Sequence, residues 1–157
     1  MGKINLSKVP VLKGSKYPAP FDAQFADRGT QYVGDAGGIT QYGANITHLP
    51  PGATSSLRHW HVNEDEFVMV TEGEVTLVED DGETPMQVGD CAAFPAGVEN
   101  GHHFINKTDK IAKFLVIGTR LPDETGYYSD VDMKVTIKNR EFSFTRKDGS
   151  PLPEGDN

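Results

Sequence analysis

Cysteine is almost missing from this chain. Cys91 is the only one among 157 residues, so no disulfide can close within it, and a reducing compartment is expected. No apolar run approaches the roughly 20 residues that cross a bilayer as a helix. The opening residues, Met1 to Ser7, are too polar for a secretion signal. Position six is Leu6, so the N-terminal myristoylation pattern also fails. Positive charge is scarce: the formal net charge is −8 and the pI is near 5.0. That excludes a general binder of nucleic acid or of anionic membranes, which would carry a basic face. There is no internal repeat, no low-complexity block, no helix-turn-helix pattern and no basic region. The expectation is a soluble cytoplasmic protein with neither a nucleic-acid nor a membrane partner.

Turn-forming residues, by contrast, are plentiful. There are 17 Gly and 10 Pro. Pro50-Pro51-Gly52, Asp80-Asp81-Gly82, Gly89-Asp90, Pro95-Ala96-Gly97 and 106–109 all punctuate the chain. Between them lie short segments with strand character at 38–49, 55–61, 66–71, 74–79, 84–88, 91–94, 102–106, 111–119, 131–137 and 140–146. Asp81-Gly82 between two apolar-rich segments predicts a hairpin. Evenly spaced short strands predict an all-β sandwich or barrel with little helix. Residues 1–37 hold Pro10, Pro18 and Pro20 and read as an irregular arm, with Phe21 and Phe25 on one face of a short helix. Residues 38–120 form the core, and 121–157 extend the same domain. Residues 147–157 are expected to fray.

The chemistry concentrates at Arg58-His59-Trp60-His61 and Glu66. Alternate residues of a strand share a face, so His59 and His61 project together. On the next strand Glu66, Val68 and Val70 share one face, while Phe67, Met69 and Thr71 take the other. A carboxylate entering an apolar interior is costly unless it is paired or bound to a metal. Two histidines and a carboxylate are a ligand set for a divalent transition metal with open positions.

The spacing extends this reading. Gly52, six residues, His59, one, His61, four, Glu66, six, Gly73 resembles the first sequence motif of the cupin superfamily. Gly89, five residues, Pro95-Ala96-Gly97, then His102, three residues and Asn106 resembles the second. The resemblance covers roughly residues 38–120. It implies a double-stranded β-helix, the cupin jelly-roll barrel of six to eight strands, which leaves no open edge. It also implies a metal held by His59, His61, Glu66 and one later histidine. The chain departs from the pattern at Val98-Glu99-Asn100-Gly101, which lengthens the second motif before a doubled His102-His103. Spacing to Asn106 favours His102, with His103 as the alternative. Three imidazoles and a carboxylate favour Fe, Mn, Ni, Co or Zn over Ca or Mg.

Around this set the sequence suggests supporting roles. Trp60 must face away from the ligands and pack. Arg58 shares its parity and would meet an acidic neighbour or a partner subunit. His48 reads as a hydrogen-bonded strand histidine, and Cys91 as a small buried hydrophobe. Tyr127 and Tyr128, next to Asp130, read as packing or interface residues. Glu64 and Asp65 read as turn and surface carboxylates. Glu99 and Asn100, in the inserted loop, could reach the rim of a cavity.

Within the superfamily the signature is similar to that of small single-domain bacterial proteins grouped with sugar-phosphate isomerases. The expected function is therefore a metal-dependent enzyme on a small polar metabolite such as a sugar phosphate. An iron-dependent dioxygenase and a non-catalytic sensing module are the alternatives. No catalytic base is marked. Lys107, Lys113, Arg58 and Arg120 are the cations near the motifs that a phosphate could use. The extra C-terminal strands suggest a homodimer.

Overall fold

The computed structural model describes residues 2–153. Among these, thirteen strands carry the fold: β1 (Leu12–Lys13), β2 (Gly29–Gln31), β3 (Tyr42–Leu49), β4 (His59–His61), β5 (Glu66–Glu72), β6 (Glu74–Glu79), β7 (Gly82–Gln87), β8 (Cys91–Phe94), β9 (His103–Ile105), β10 (Ala112–Thr119), β11 (Asp123–Tyr128), β12 (Lys134–Lys138) and β13 (Glu141–Thr145). They form an all-β jelly-roll barrel. The orders are β1-β2-β3-β10-β5-β8, β13-β12-β11-β4 and β7-β6-β9. The paired strands run antiparallel throughout.

Period-two alternation decides which face is buried. On β5, Val68 and Val70 are almost fully buried while Phe67 is 39% exposed, as the alternation requires. They join Leu49 of β3, Val75 and Leu77 of β6, Met86 of β7, Phe104 of β9, and Ala112 and Phe114 of β10 in one apolar cluster. The six-stranded and three-stranded sheets therefore face each other. Burying each of the larger side chains contributes about 1.5–3 kcal/mol. A second cluster packs Tyr128, Met133 and Val135 against Tyr17, Phe21, Leu57 and Phe144.

Two motif positions have plain structural reasons. Gly73 joins β5 to β6 with φ +71°, and a Cβ there would stand 2.7 Å from the Ile111 carbonyl oxygen; both facts demand glycine. Asn106 is fully buried. Its amide donates to the Leu49 and Lys110 carbonyls, each at 2.7 Å, and its Oδ1 accepts from the Thr108 amide. The side chain thus ties β3 to the loop before β10.

The hairpin between β6 and β7 forms, but Glu79 pairs with Gly82, so the two-residue loop is Asp80-Asp81. Phe21 and Phe25 flank a 3-10 turn at Asp22–Phe25 rather than an α-helix. Part of the N-terminal arm becomes β1 and β2 on the edge of the large sheet. Cys91 lies at an outward position of β8 and is exposed rather than buried, because the inward parity there belongs to Ala92 and Phe94. Residues 154–157 of the tail expected to fray lie outside the described residues. Before them, the Lys147 amide donates to Asp132 Oδ1 and Leu152 packs on the second cluster, so this part is tied down.

Candidate metal centre

The ligand strand β4 is only three residues long, and its neighbours decide where its side chains go. Gly126, Tyr127 and Tyr128 of β11 stand opposite His61, Trp60 and His59. Trp60 faces outward and stacks on Tyr127, with ring centroids 5.0 Å apart. On its other side β4 meets the start of the second motif, where His59 and His102 form a bridge with mutual backbone hydrogen bonds. Directly opposed residues of an antiparallel pair point to the same face. That register turns His102 inward with His59 and sends His103 outward, where its Nδ1–H donates to the Ser56 carbonyl at 2.9 Å.

The inward groups converge. His102 is 1% exposed, and its Nε2 lies 3.1 Å from Glu66 Oε1. His61 Nε2 lies 3.8 Å from Glu66 Oε2. His59, His61 and Glu66 each offer a ligand atom, all within 4.8 Å of one another. Phe94, opposite Glu66 in the β5–β8 register, stacks flat on the His102 ring at 3.5 Å. Ser129 packs so tightly on Gly101 that a Cβ there would fall 1.9 Å from its hydroxyl; the inserted loop relies on that glycine to deliver His102.

The protonation pattern suits a cation. His59 Nδ1 lies 2.9 Å from the Leu57 carbonyl, which can only accept, so Nδ1 carries the hydrogen and Nε2 keeps a free lone pair. Burial, reinforced by His102 and His61, pushes the His59 imidazole down to about 3, so it is neutral. Burial also works to raise the Glu66 carboxyl, but the His102 hydrogen bond outweighs it and holds it at about 2. Neither ring nitrogen of His61 has a hydrogen-bond partner among the described residues, and its Nδ1 and that of His102 are buried. A neutral imidazole, an ionised buried carboxylate and unpartnered ring nitrogens are what a divalent transition metal would use. The residues therefore fit a metal ion.

Behind His61 stand two more carboxylates, Glu64 and Glu124, close enough to form a second triad with it. Glu64 is half-buried and lines the cavity rather than the surface, and burial raises its carboxyl. Glu124 is 3% exposed and accepts from the Asn63 amide. It comes from β11, a strand that the sequence hides: Asp123-Glu124-Thr125-Gly126 looks like a turn. Only the alternation of Glu124, Gly126 and Tyr128 could have revealed it.

A cavity of about 690 Å³ opens from this centre. Of the four cations named from the sequence, only Arg120 lines it. Arg58 is turned away and clamped: its Nε and Nη2 donate to the two Asp130 oxygens at 2.8 Å each, and its Nη1 reaches Asp80 at 2.9 Å. Lys107 pairs with Glu83, and Lys113 with Glu72. His48 donates to Gln31 from its strand. Asn100 bonds the Asp80 amide and Glu79, and neither it nor Glu99 lines the cavity. The cavity's other cations, Lys13, Lys16, Arg28 and Arg140, and the half-buried Tyr17 come from the arm and the C-terminal hairpin, which carry no motif.

Comparison with known proteins agrees with this geometry. A family model described as "Cupin domain" matches residues 45–118. A crystal structure of a sugar phosphate isomerase from a cupin superfamily, from Silicibacter pomeroyi, is 56% identical, with a TM-score of 0.95 over 97% of each chain. A putative sugar phosphate isomerase from Acidithiobacillus ferrooxidans is 26% identical, with a TM-score of 0.76 over 91% of this chain and 90% of that one. A predicted oxalate decarboxylase from Thermotoga maritima, 18% identical at a TM-score of 0.62 over 76% of this chain and all of that one, shares the fold. No curated protein matches.

Proposed function

The chain belongs to the cupin superfamily, and from that premise we propose that it is a metal-dependent isomerase or epimerase of a small sugar phosphate. The observation that carries this is the convergence of His59, His61, Glu66 and His102 at the floor of a 690 Å³ cavity. These four residues would hold the ion. A divalent metal there supplies Lewis-acid polarisation of a carbonyl or hydroxyl oxygen. The chain's own part is to orient and to exclude water. The Leu57 carbonyl fixes the His59 tautomer, the Phe94 ring fixes the plane of His102, and the apolar cluster walls off the rear of the site. Resemblance to proteins described as sugar phosphate isomerases supports the substrate class.

The test combines metal analysis with turnover. Protein purified without oxygen is expected to carry manganese, nickel, cobalt or zinc, and the His59→Ala variant to lose it. Glu66→Gln is expected to abolish aldose–ketose or epimer conversion in a sugar-phosphate screen. Stoichiometric iron with oxygen consumption would instead indicate a dioxygenase. An exposed free thiol at Cys91 suits the reducing cytoplasm proposed as its compartment. A homodimer is proposed as well, and sedimentation or light scattering reads that directly.

A further inference from the structure

Arg28, half-buried just before β2, lines the cavity. Its guanidinium has five donors, yet its recorded side-chain bond is a long one, Nη2 to Thr30 Oγ1 at 3.3 Å. Its Nε is buried with no partner. Among the described residues no carboxylate lies within ion-pair distance of it. A partly desolvated guanidinium without an anion is costly, and the other two half-buried arginines are paired with carboxylates: Arg58 with Asp130 and Asp80, Arg120 with Asp35.

Other donors line the same cavity. Arg120 commits Nη1 to Asp35 at 2.7 Å, while its Nη2 and the Asn45 amide nitrogen both lie beside Gly43, 3.6 and 3.8 Å from where a Cβ would stand. Asn45 Oδ1 is buried without a donor. Lys13, Lys16 and Arg140 sit exposed at the rim, likewise without a carboxylate in ion-pair range among the described residues. The same lining carries four carboxylates: Asp35 is paired with Arg120, Glu66 sits among the histidines, and Glu64 and Asp65 stand near them in sequence.

We propose that Arg28 is the seat of the substrate's phosphate monoester within the cavity that the candidate metal ligands also line. The guanidinium fork matches phosphate geometry, and a sugar hydroxyl would donate to Asn45 Oδ1. This assignment rests on the reading of the cavity as a sugar-phosphate site, but it can be tested without turnover.

Inorganic phosphate titrated into chelator-treated full-length protein at low salt is the probe, read by calorimetry. Wild type is expected to bind it, Arg28→Gln to bind roughly tenfold more weakly or worse, and Lys107→Gln, on the outer surface, to match wild type. In isotope-labelled wild type the Arg28 Nε–H resonance is expected to move with phosphate, which keeps the test open should Arg28→Gln not fold. No phosphate binding by wild type, an unmoved Arg28 resonance, or equal affinity in Arg28→Gln overturns the seat. Phosphate bound at Arg28 with no turnover of any sugar phosphate would leave the seat standing and sink the isomerase. Turnover of sugars without phosphate affinity would do the reverse.

Discussion

Two adjacent histidines, His102 and His103, sit in different environments. One ring is buried against Phe94 and bonded to Glu66; the other reaches out to the Ser56 carbonyl. His102→Ala is expected to weaken binding of a probe ion such as Co²⁺ by at least about tenfold, whereas His103→Ala should leave it nearly unchanged. Equal losses in a competition titration would mean that the inward register is not what selects the ligand. Spacing alone left this choice open, since the inserted Val98–Gly101 segment breaks the usual count. The His59–His102 bridge resolves the direction of each side chain. For His59, His61 and Glu66 the direction was legible directly, since period-two alternation needs no long-range information.

At the level of elements, the C-terminal strands prove to be part of the site. β12 and β13 join β11 in one sheet, and β11 pairs with β4, the strand that carries the histidines. Arg58 reinforces that seam by bridging Asp130 after β11 and Asp80 at the β6–β7 hairpin. A double-mutant cycle on Arg58→Ala and Asp130→Asn is expected to give a coupling of about 0.5–1 kcal/mol in urea unfolding, modest because Asp130 is largely exposed. The Arg58 hydrogen bonds hold the Asp130 carboxyl below its ordinary 3.8. A depressed carboxyl adds stability that is present above its unfolded value and is lost as pH falls through the folded one. The stability gap between wild type and Asp130→Asn should therefore be full at about pH 6 and shrink below pH 3.8. A gap that stays constant into acid would show that the pair contributes nothing through charge.

Across the whole molecule, the proposed metal ligands come from β4, β5 and the approach to β9, so an ion bound there would join three separate stretches of chain. An ion bound to the folded state alone stabilises it by about 2.7 kcal/mol at a hundredfold excess over Kd. For a chain of this length that corresponds to a rise in Tm of about 5–10 °C. Differential scanning calorimetry with and without chelator reads it, and an unchanged Tm in protein shown to be loaded would argue against ligands drawn from all three. Local order in the chain was enough to specify strand periodicity, turn positions, the types of ligand and their shared face, because each of these depends on residues only a few positions apart. The cations that serve the cavity, the strand hidden in Asp123–Tyr128, the exposure of Cys91 and the inward turn of His102 depend on contacts between residues distant in the chain. Those were settled only when the sheets closed on one another.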